Sequence, residues 1–516
     1  MQPNGTGQGL QIYHTQDPAG EWQLNQLTSG GFDPGLFFDD DGTPYVIYGG
    51  AWQNDISIRQ LTPSLNGFAG PSQVIHTHSP GLEGVHTVKR GEYYYMFHSA
   101  PGQLAMYMSR STSLLGDWET RRVIDDASGS GHQGGLVQLA SGDWYGFAML
   151  DSGPIGRVTN ISPISWENDW PIWGSNNLIP DEATKPILGQ PIIIHPQSTG
   201  FEAPNLPPDY RWNHNPDDSR WSLTERPGHL RLKATVAPDF WNARNTLTYK
   251  AFGPRSEAVI EMDISHLQEG DIAGLGMLGK GLATLAVDRL ESGEARLVLS
   301  TGTATASSGP MSERATAILG NTGKVYLLLR MDFESNEGQT AYSLDGIDWN
   351  TIGGTFPLLW DWATGTFQGE QYAVFNFNPA ASTGHVDVDR VTFVERSDID
   401  RDGDVDADDF LRLAGNHFAS LPGDSAIETF AYGDLDGDLD NDYEDFCIFQ
   451  EDYIAVHGPA AFDTLVVSFK QVPEPRCQLA MIVWFALATA VTRANLLPGD
   501  RRSRTRRSPV NGRQPL

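Results

Sequence analysis

The sequence predicts an all-β protein, in which a β-propeller is followed by a second β domain and then by a small α-helical module. Two observations predict this fold class. Short aromatic strands recur about every 50 residues between Met1 and Gly174, and two acidic loops that start 36 residues apart, at Asp398 and Asp434, each precede a helical segment. A chain of 516 residues has room for about three domains of ordinary size.

Three hairpin-like segments carry the propeller repeat. Each has a glycine followed by an aromatic-rich strand, and the glycines Gly42, Gly91 and Gly142 are 49 and 51 residues apart. This period is typical of four-stranded propeller blades and fits a plain β-sandwich less well. From Met1 to about Gly174 there is room for roughly three and a half blades, whereas propellers usually have about 4 to 8. We therefore expect part of the ring to be missing from this sequence.

Two carboxylates are the first candidates for chemistry. Asp33 in "FDPGLFF" and Glu83 in "GLEGVHTV" are one repeat apart, so neighbouring blades would direct them at one axis. Two carboxylates in a cleft suit the cleavage of a glycosidic bond, because one protonates the leaving oxygen while another activates water. On spacing alone, however, two solvated turn residues explain the pattern better.

A family resemblance changes this balance. The segments "FDPGLFFDDDGTPYVIYG", "EGVHTVKRGEYYYMFHSA", "GHQGGLV" and "GRVTNISPISWENDWPIWG" resemble, in order and spacing, the motifs of glycoside hydrolase family 43 over residues 1–190. The resemblance implies a five-bladed propeller, incomplete here at the N-terminus, with β-xylosidase or α-L-arabinofuranosidase activity on xylan-type or arabinan-type oligosaccharide or polysaccharide.

The same resemblance assigns roles to four residues of this sequence. Glu83 would be the general acid, although Val85 replaces the family's usual proline, and Asp33 would tune the pKa of that acid. His132 would lie on the propeller axis near a calcium ion or water, and Arg157 would contact the sugar. A hydrogen-bonded structural histidine and an ion-paired arginine are alternative interpretations of His132 and Arg157.

The family's general base is an aspartate of the first blade, close to the mature N-terminus. "GLQIYHTQDPAGEW" already resembles the end of the second blade, so the base has no counterpart in this sequence. Family 43 enzymes invert configuration, and inversion needs a base. We therefore expect impaired hydrolysis from the chain as it stands and activity from a longer natural form.

A second β domain is predicted over residues 199–396. Its opening residues resemble the start of the concanavalin-like sandwich that follows many family 43 xylosidases; they are Trp212, Asn213, Arg220, Trp221 and Gly228. Without this resemblance the segment is an all-β domain with carbohydrate binding as a guess. The two tryptophans could equally be core residues.

Residues 397–458 follow the pattern of paired calcium loops. Oxygen ligands at alternating positions suit a hard cation. The first loop offers Asp398, Asp400, Asp402, Asp404, Asp406 and Asp409, with Gly403 at the turn. The second offers Asp434, Asp436, Asp438, Asp440, Asp442 and Asp445, and it has Leu439 where the turn glycine belongs, which predicts a weaker site. The pair resembles a type I dockerin, whose partner would be a cohesin-like protein; a solvated acidic linker does not explain the paired spacing.

The C-terminal segment 465–516 combines "VPEP", the apolar run "LAMIVWFALATAV" and the basic run "RRSRTRR". It resembles a PEP-CTERM sorting signal, which implies export to the cell envelope or beyond and recognition by sorting machinery at the membrane. A short core helix with a frayed tail is the alternative. The N-terminus shows no basic region followed by an apolar run, which conflicts with export and again suggests an incomplete N-terminus.

The charge balance narrows the class of partner. Lys plus Arg (35) minus Asp plus Glu (65) gives a net charge of −30, which disfavours nucleic acid. The two cysteines, Cys447 and Cys477, show no framework spacing. Two hypotheses stay open: an exported glycosidase, or a carbohydrate-binding surface protein without hydrolysis.

Overall fold

The computed structural model describes residues 9–28, 31–49, 54–79, 83–100, 105–124, 131–175, 177–180, 183–187, 189, 198–361 and 367–469. These residues form two compact units. The first unit comprises residues up to Glu395 together with Arg401–Gly403, and the second comprises Arg396–Asp400 and the residues from Asp404 onwards. Most of the predicted sorting tail lies outside the described residues.

Residues 10–173 form a two-stranded sheet followed by three four-stranded sheets. The two-stranded sheet pairs β1 (Leu10–His14) with β2 (Gln23–Leu27). Three antiparallel four-stranded sheets follow, which we call blades A, B and C. Blade A contains β3 (Phe32–Phe38), β4 (Pro44–Gly49), β5 (Asp55–Gln60) and β6 (Gln73–Thr77). Blade B contains β7 (Glu83–Arg90), β8 (Tyr93–Ala100), β9 (Ala105–Ser111) and β10 (Glu119–Ile124). Blade C contains β11 (Gly131–Gln138), β12 (Trp144–Asp151), β13 (Arg157–Glu167) and β14 (Trp170–Trp173).

The predicted repeat is present in these blades. Gly42, Gly91 and Gly142 lie in the turns between the first and second strands of blades A, B and C, and each has a positive φ, of 82°, 62° and 94°. Glycine adopts this conformation without steric cost, which explains its recurrence at the turn. The five blades implied by the resemblance remain a prediction, because the described residues form three complete ones.

The first strands of the three blades lie side by side, with β7 in contact with both β3 and β11. Their close approach depends on glycine: a Cβ on Gly35 would lie 2.2 Å from the Val85 carbonyl oxygen, and one on Gly135 would lie 2.4 Å from the His86 ring. Buried apolar residues then fill the space between the blades. Ile47 and Met96 belong to the core between blades A and B, and Phe97 and Trp173 to the core between blades B and C.

Residues 198–394 form two eight-stranded sheets around one apolar core. One sheet has the order β15-β19-β29-β21-β22-β23-β24, with β18 paired to β29. Its strands are β15 (Arg211–Trp212), β18 (Thr235–Val236), β19 (Leu247–Lys250), β21 (Ile272–Leu278), β22 (Gly281–Arg289), β23 (Ala295–Thr303), β24 (Met311–Gly320) and β29 (Gln371–Asn378). The other has the order β16-β17-β30-β20-β25-β26-β27, with β28 paired to β26. Its strands are β16 (Trp221–Ser222), β17 (Leu230–Lys233), β20 (Arg255–Asp263), β25 (Lys324–Asp332), β26 (Glu337–Ser343), β27 (Asn350–Thr351), β28 (Phe356–Pro357) and β30 (His385–Val394).

The predicted opening residues of this sandwich have structural roles. The rings of Trp212 and Trp221 lie 5.1 Å apart and pack against the core, which favours the core interpretation of both. Arg220 donates to the Ala234 and Ser382 carbonyls, and Asn213 donates to the Thr246 and Trp241 carbonyls. Gly228 has a φ of 75°, which favours glycine at that turn.

The second unit is helical. It contains α1 (Ala407–Asn416), α2 (Ala426–Phe430), α3 (Tyr443–His457) and α4 (Pro459–Phe469). Phe410, Phe446, Phe449, Tyr453 and Phe462 contact one another as its aromatic core. Within the described part of the chain, no helix is long and apolar enough to cross a lipid bilayer.

Candidate active site

The first strand of each blade begins with an irregularity that presents polar side chains. Register shifts occur at Phe32–Gly35, Glu83–His86 and His132–Gly134. One residue in each has a positive φ: Asp33 (45°), Gly84 (65°) and Gln133 (48°). A bulge of this kind redirects a side chain out of the regular strand alternation. The bulges therefore place Asp33, Gly84 and Gln133 at equivalent positions of three adjacent strands, with Glu83 directly before Gly84.

Gln133 is the site residue that sequence reasoning missed. Its side-chain Nε2 donates to Asp33 Oδ2 at 3.0 Å, and its backbone N–H donates to Ser99 Oγ at 2.6 Å. The available signal was the repeat itself, because Gln133 stands 100 residues, or two blade periods, after Asp33. An amide does not titrate, so a search for acids and bases passes over it.

The electrostatics of the site favour a protonated Glu83. Burial and, to a smaller extent, the nearby charge of Asp33 raise the pKa of Glu83 to about 7, while Arg157 acts in the opposite direction. Burial also raises the pKa of Asp33, and Arg157 again opposes the shift. Two carboxylates and one guanidinium therefore share one electrostatic environment, with Glu83 the group that holds a proton near neutral pH.

The structure shows an ion pair at Arg157, and contact of this side chain with sugar remains a prediction. Its Nε donates to Asp151 Oδ1 at 2.9 Å, so it is an ion-pair partner. It also acts on the pKa values of both Asp33 and Glu83. Asp151 fixes one side of the guanidinium, which orients the remaining donors.

The sandwich reaches this part of the propeller. The backbone N–H of Arg157 donates to the Phe367 carbonyl at 2.9 Å, and its guanidinium lies 4.1 Å from the centre of the Phe367 ring. Lys250 Nζ donates to the Arg157 carbonyl at 3.4 Å. An aromatic ring beside an arginine restricts the arginine's conformations, so the sandwich helps to position Arg157.

His132 is placed only by its backbone. It lies in β11 opposite Met149, one residue before the positive-φ position of Gln133. Glu83 stands at the same point relative to Gly84. His132 therefore shares the register of the proposed acid in the neighbouring blade; its side chain lies outside the described part of the structure.

The acidic loops of the second unit bring most of their predicted ligands together. In each of four groups, carboxylate oxygens of three residues lie within 4.8 Å of one another. The groups are Asp398, Asp400 and Asp409; Asp404, Asp406 and Asp409; Asp434, Asp436 and Asp445; and Asp440, Asp442 and Asp445. Asp402 and Asp438, which both occupy position 5 of their loops, are not members of these groups.

The 36-residue repeat is reproduced bond for bond at position 12 of each loop. Asp409 accepts from the backbone of Ile399, Asp400 and Asp406, and Asp445 accepts from the equivalent backbone groups of Leu435, Asp436 and Asp442. Both aspartates are about 1% exposed and close capping boxes at the starts of α1 and α3. Each loop and the helix that follows it therefore form one structural unit.

Both loops contain a non-glycine residue with positive φ, the feature from which the second loop was predicted to be the weaker site. Each loop has two left-handed residues, at positions 4 and 6. In the first loop these are Arg401 (φ 61°) and Gly403 (105°), and in the second they are Gly437 (86°) and Leu439 (76°). Each loop thus has one glycine and one residue that bears the steric penalty of positive φ. Leu439 alone does not make the second loop the more strained one.

Comparisons with known proteins identify two segments. Residues 2–171 match glycosyl hydrolases family 43, and residues 198–394 match the beta xylosidase C-terminal concanavalin A-like domain. Each match covers less than half of the chain, and the two similar segments occur in the order of the propeller blades and then the sandwich.

Several relatives are described as xylosidases or arabinofuranosidases. A beta-xylosidase of Formosa agariphila is 30% identical over 317 residues, covering 54% of this chain and 51% of the relative. A putative beta-xylosidase of Xylanibacter ruminicola is 26% identical, covering 68% and 67%. The non-reducing end alpha-L-arabinofuranosidase BoGH43B of Bacteroides ovatus is 28% identical, covering 44% and 47%. The chain spans about half the length of the Formosa relative.

A solved structure agrees in fold. The bifunctional GH43-CE protein of Bacteroides eggerthii superposes with a TM-score of 0.66 at 28% identity, covering 75% of this chain and 51% of that protein.

Proposed function

We propose that this chain, in which a family 43 glycosyl hydrolase segment precedes a concanavalin A-like domain, is part of an exported glycosidase. Its substrates are xylosidic or arabinofuranosidic bonds in plant-type or algal polysaccharide, and it acts with inversion. The observation that carries the proposal is Glu83, whose pKa of about 7 and position beside Asp33 and Arg157 suit a general acid at neutral pH.

In this mechanism Glu83 donates its proton to the glycosidic oxygen as the bond to the anomeric carbon breaks. Burial, and then the charge of Asp33, keep the pKa of Glu83 high, and Gln133 holds the Asp33 carboxylate through Nε2. Arg157, fixed by Asp151 and Phe367, binds sugar hydroxyls beside the acid. Inversion also requires a base that activates water, and neither Glu83 nor Asp33 is assigned this role.

The test is Glu83→Gln in a form of the protein that hydrolyses aryl glycosides. Glutamine cannot donate a proton as an acid, so aryl β-xylosides and aryl α-L-arabinofuranosides with poor leaving groups should lose about 10²- to 10⁴-fold in rate. Substrates with good leaving groups need little protonation and should lose less. An equal loss for both classes of leaving group would show that Glu83 is not the acid.

A carbohydrate-binding surface protein is the second candidate. One observation favours it: the two carboxylates assigned at the site, Glu83 and Asp33, both serve the acid side of the mechanism. This candidate predicts binding of xylobiose or arabinobiose by every form of the chain without hydrolysis. Measured turnover of an aryl glycoside would exclude it.

We also propose that the second unit binds calcium in its two loops, as a dockerin-like module with a cohesin-like protein partner. Its donor set is made only of carboxylate oxygens, which suits Ca²⁺ better than Zn²⁺ or copper. Asp398 and Asp434, at position 1 of the two loops, are buried and lie within these groups. Export, and recognition of residues 465–516 by sorting machinery, are proposed from the sequence pattern alone.

A further inference from the structure

Glu370 is a buried carboxyl group of the sandwich that the proposed chemistry does not use. Glu370 is 0% exposed and directly precedes β29. Its Oε1 accepts from the backbone N–H of Gly281 at 2.8 Å and of Leu359 at 3.1 Å. No partner is found for its Oε2 in the described structure. The carboxyl thus links Gly281, at the β21–β22 turn, to Leu359, which lies eleven residues before Glu370 in the chain.

Two glycines of the β21–β22 turn leave room for the Glu370 carboxyl. A Cβ on Gly279 would lie 2.1 Å from Glu370 Oε2, and one on Gly281 would lie 2.8 Å from Oε1. Both positions require glycine because the carboxyl fills the space beside them. Lys280, between these glycines, pairs with Asp361 at 3.2 Å and so attaches the same segment a second time.

The backbone of Glu370 is tied to the propeller. Its N–H donates to the Pro154 carbonyl at 2.8 Å, and three residues earlier the Phe367 carbonyl accepts from Arg157 at 2.9 Å. Between these bonds a Cβ on Gly156 would lie 2.4 Å from the Gln368 carbonyl carbon, and one on Gly369 would lie 2.3 Å from the Ile155 carbonyl carbon. The two backbones are in direct contact, so a shift of segment 367–370 must move the turn that carries Arg157.

We propose that Glu370 is a positioning residue for the sugar site, holding segment 367–370 of the sandwich against the propeller turn that carries Arg157. The proposal rests on the proposed function in one respect, namely that Arg157 binds sugar. Glu370 does not touch the substrate in this proposal and acts through Phe367 and Pro154.

The protonation state of Glu370 supplies a readout that a purely structural residue would lack. Burial raises its pKa to about 8, against the two backbone donors that lower it. The neutral acid is therefore the form that fits at pH 7, and ionisation above pH 8 places an uncompensated charge between the turn and the segment. The other charged groups around it are Lys280, Asp361, Lys250 and Arg157. Burial lowers the pKa of Lys250, which donates to the Arg157 carbonyl. A comparison of variants must therefore separate the titration of Glu370 from that of Lys250.

The experiment compares wild type, Glu370→Gln and Glu370→Ala in the full chain. Glutamine reproduces the neutral acid in shape and retains the acceptor for Gly281 and Leu359. At pH 7, hydrogen exchange of the Arg157 amide should be at least about tenfold faster in Glu370→Ala and unchanged in Glu370→Gln. Xylobiose affinity, measured by calorimetry, should fall about tenfold in Glu370→Ala. Between pH 7 and 9 it should weaken more in wild type than in Glu370→Gln, because the variant keeps the titrations of Glu83 and Lys250 and loses only that of Glu370.

Asp271→Ala is the matched control. Asp271 is a buried carboxyl of the same sandwich, and it bonds to Gln268 and Asn378. Its loss should lower the melting temperature without faster exchange at Arg157. Equal exchange at Arg157 in wild type and Glu370→Ala would overturn the proposal. If exchange behaves as expected but wild type does not bind xylobiose, the positioning role stands and the sugar site fails.

Discussion

At the scale of single residues, the proposed site depends on the electrostatic environment that Asp33, Glu83 and Arg157 share. Motif resemblance predicted Asp33, Glu83 and Arg157, because acids and arginines in recognisable motifs stand out in a sequence. It did not predict Gln133, whose bond to Asp33 follows from the equivalence of bulges two blades apart. Nor did it predict Glu370, since the burial that makes its carboxyl unusual is a property of the folded chain.

The charge of Asp33 should control the working pH range of Glu83. In the change Asp33→Asn that charge is lost, so the pKa of Glu83 should fall from about 7, because Asp33 is the second cause of its elevation after burial. A decrease of one unit from 7 lowers the protonated fraction at pH 7 from about one half to about one tenth. The descending limb of the rate profile, where Glu83 loses its proton, should therefore move to lower pH.

This shift is measured as the pH dependence of kcat/KM on an aryl xyloside with a poor leaving group. Arg121→Gln serves as a control, since Arg121 is exposed and pairs with Glu119 away from the site. An unchanged profile in Asp33→Asn would remove Asp33 from the environment of Glu83.

At the scale of elements, glycines decide which segments can approach one another. The propeller turn before Arg157 has two glycines with positive φ, Gly153 (66°) and Gly156 (86°). A Cβ on Gly153 would meet nothing within 4 Å, whereas one on Gly156 would overlap the Gln368 backbone. The sequence pattern shows both glycines but cannot distinguish them, because the contact joins residues more than 200 positions apart.

Gly156→Ala should therefore be much more damaging than Gly153→Ala. Gly153→Ala should cost about 1–2 kcal/mol of folding free energy, the penalty of a left-handed residue with a side chain. Gly156 has φ 86° and ψ −154°, a region adopted almost only by glycine, which costs about 1–3 kcal/mol before the overlap with Gln368 is added. Thermal melts and xylobiose affinity measure the two variants. Equal effects of the two variants would contradict the close packing of the turn on the sandwich.

The calcium loops form another element whose behaviour can be tested. Several carboxylates in each loop lie within 4.8 Å of one another, and their repulsion should prevent the loops from closing without a cation. We expect residues 397–458 to be largely unfolded in chelator and helical with calcium. The four α-helices of the described chain all lie in the second unit, so far-ultraviolet circular dichroism at 222 nm reports on it against a β background.

A spectrum that does not change when calcium is added to the chelated protein would refute this prediction. A pair of variants tests the loop geometry. Leu439→Gly removes the positive-φ penalty from the second loop and should tighten its calcium binding, while Gly437→Ala adds a penalty and should weaken it. The two changes act at positions 6 and 4 of the same loop.

At the scale of the whole molecule, the sequence predicted a propeller repeat followed by a second β domain. The repeat near 50 residues predicted four-stranded sheets, and three complete ones are present among the described residues. The family comparisons support the propeller and the sandwich that follows it. The attachment of the sandwich through residues 367–370 was not predictable, because backbone-to-backbone contacts leave no pattern of side-chain chemistry in a sequence.

Blade C leaves apolar side chains exposed on one of its faces. Phe147 of β12 stands directly opposite Ile161 of β13, and Val137 of β11 lies on the same face. These side chains are 36%, 44% and 45% exposed, whereas the opposite face of the blade, with Leu136 and Ala148, is buried against blade B. A row of exposed apolar side chains on adjacent strands favours association.

We therefore expect the chain to self-associate through this face, and Ile161→Lys to reduce the association. A lysine at position 161, at the β13 end of the row, would have to lose its hydration in any contact, whereas in the isolated chain it remains in water. Sedimentation velocity at several protein concentrations measures the effect. Ile318→Lys is the control, because Ile318 is 59% exposed on the sandwich and lies outside this row. If both variants associate as wild type does, the exposed face of blade C does not mediate self-association; if both reduce it equally, the effect comes from the added charge and not from that face.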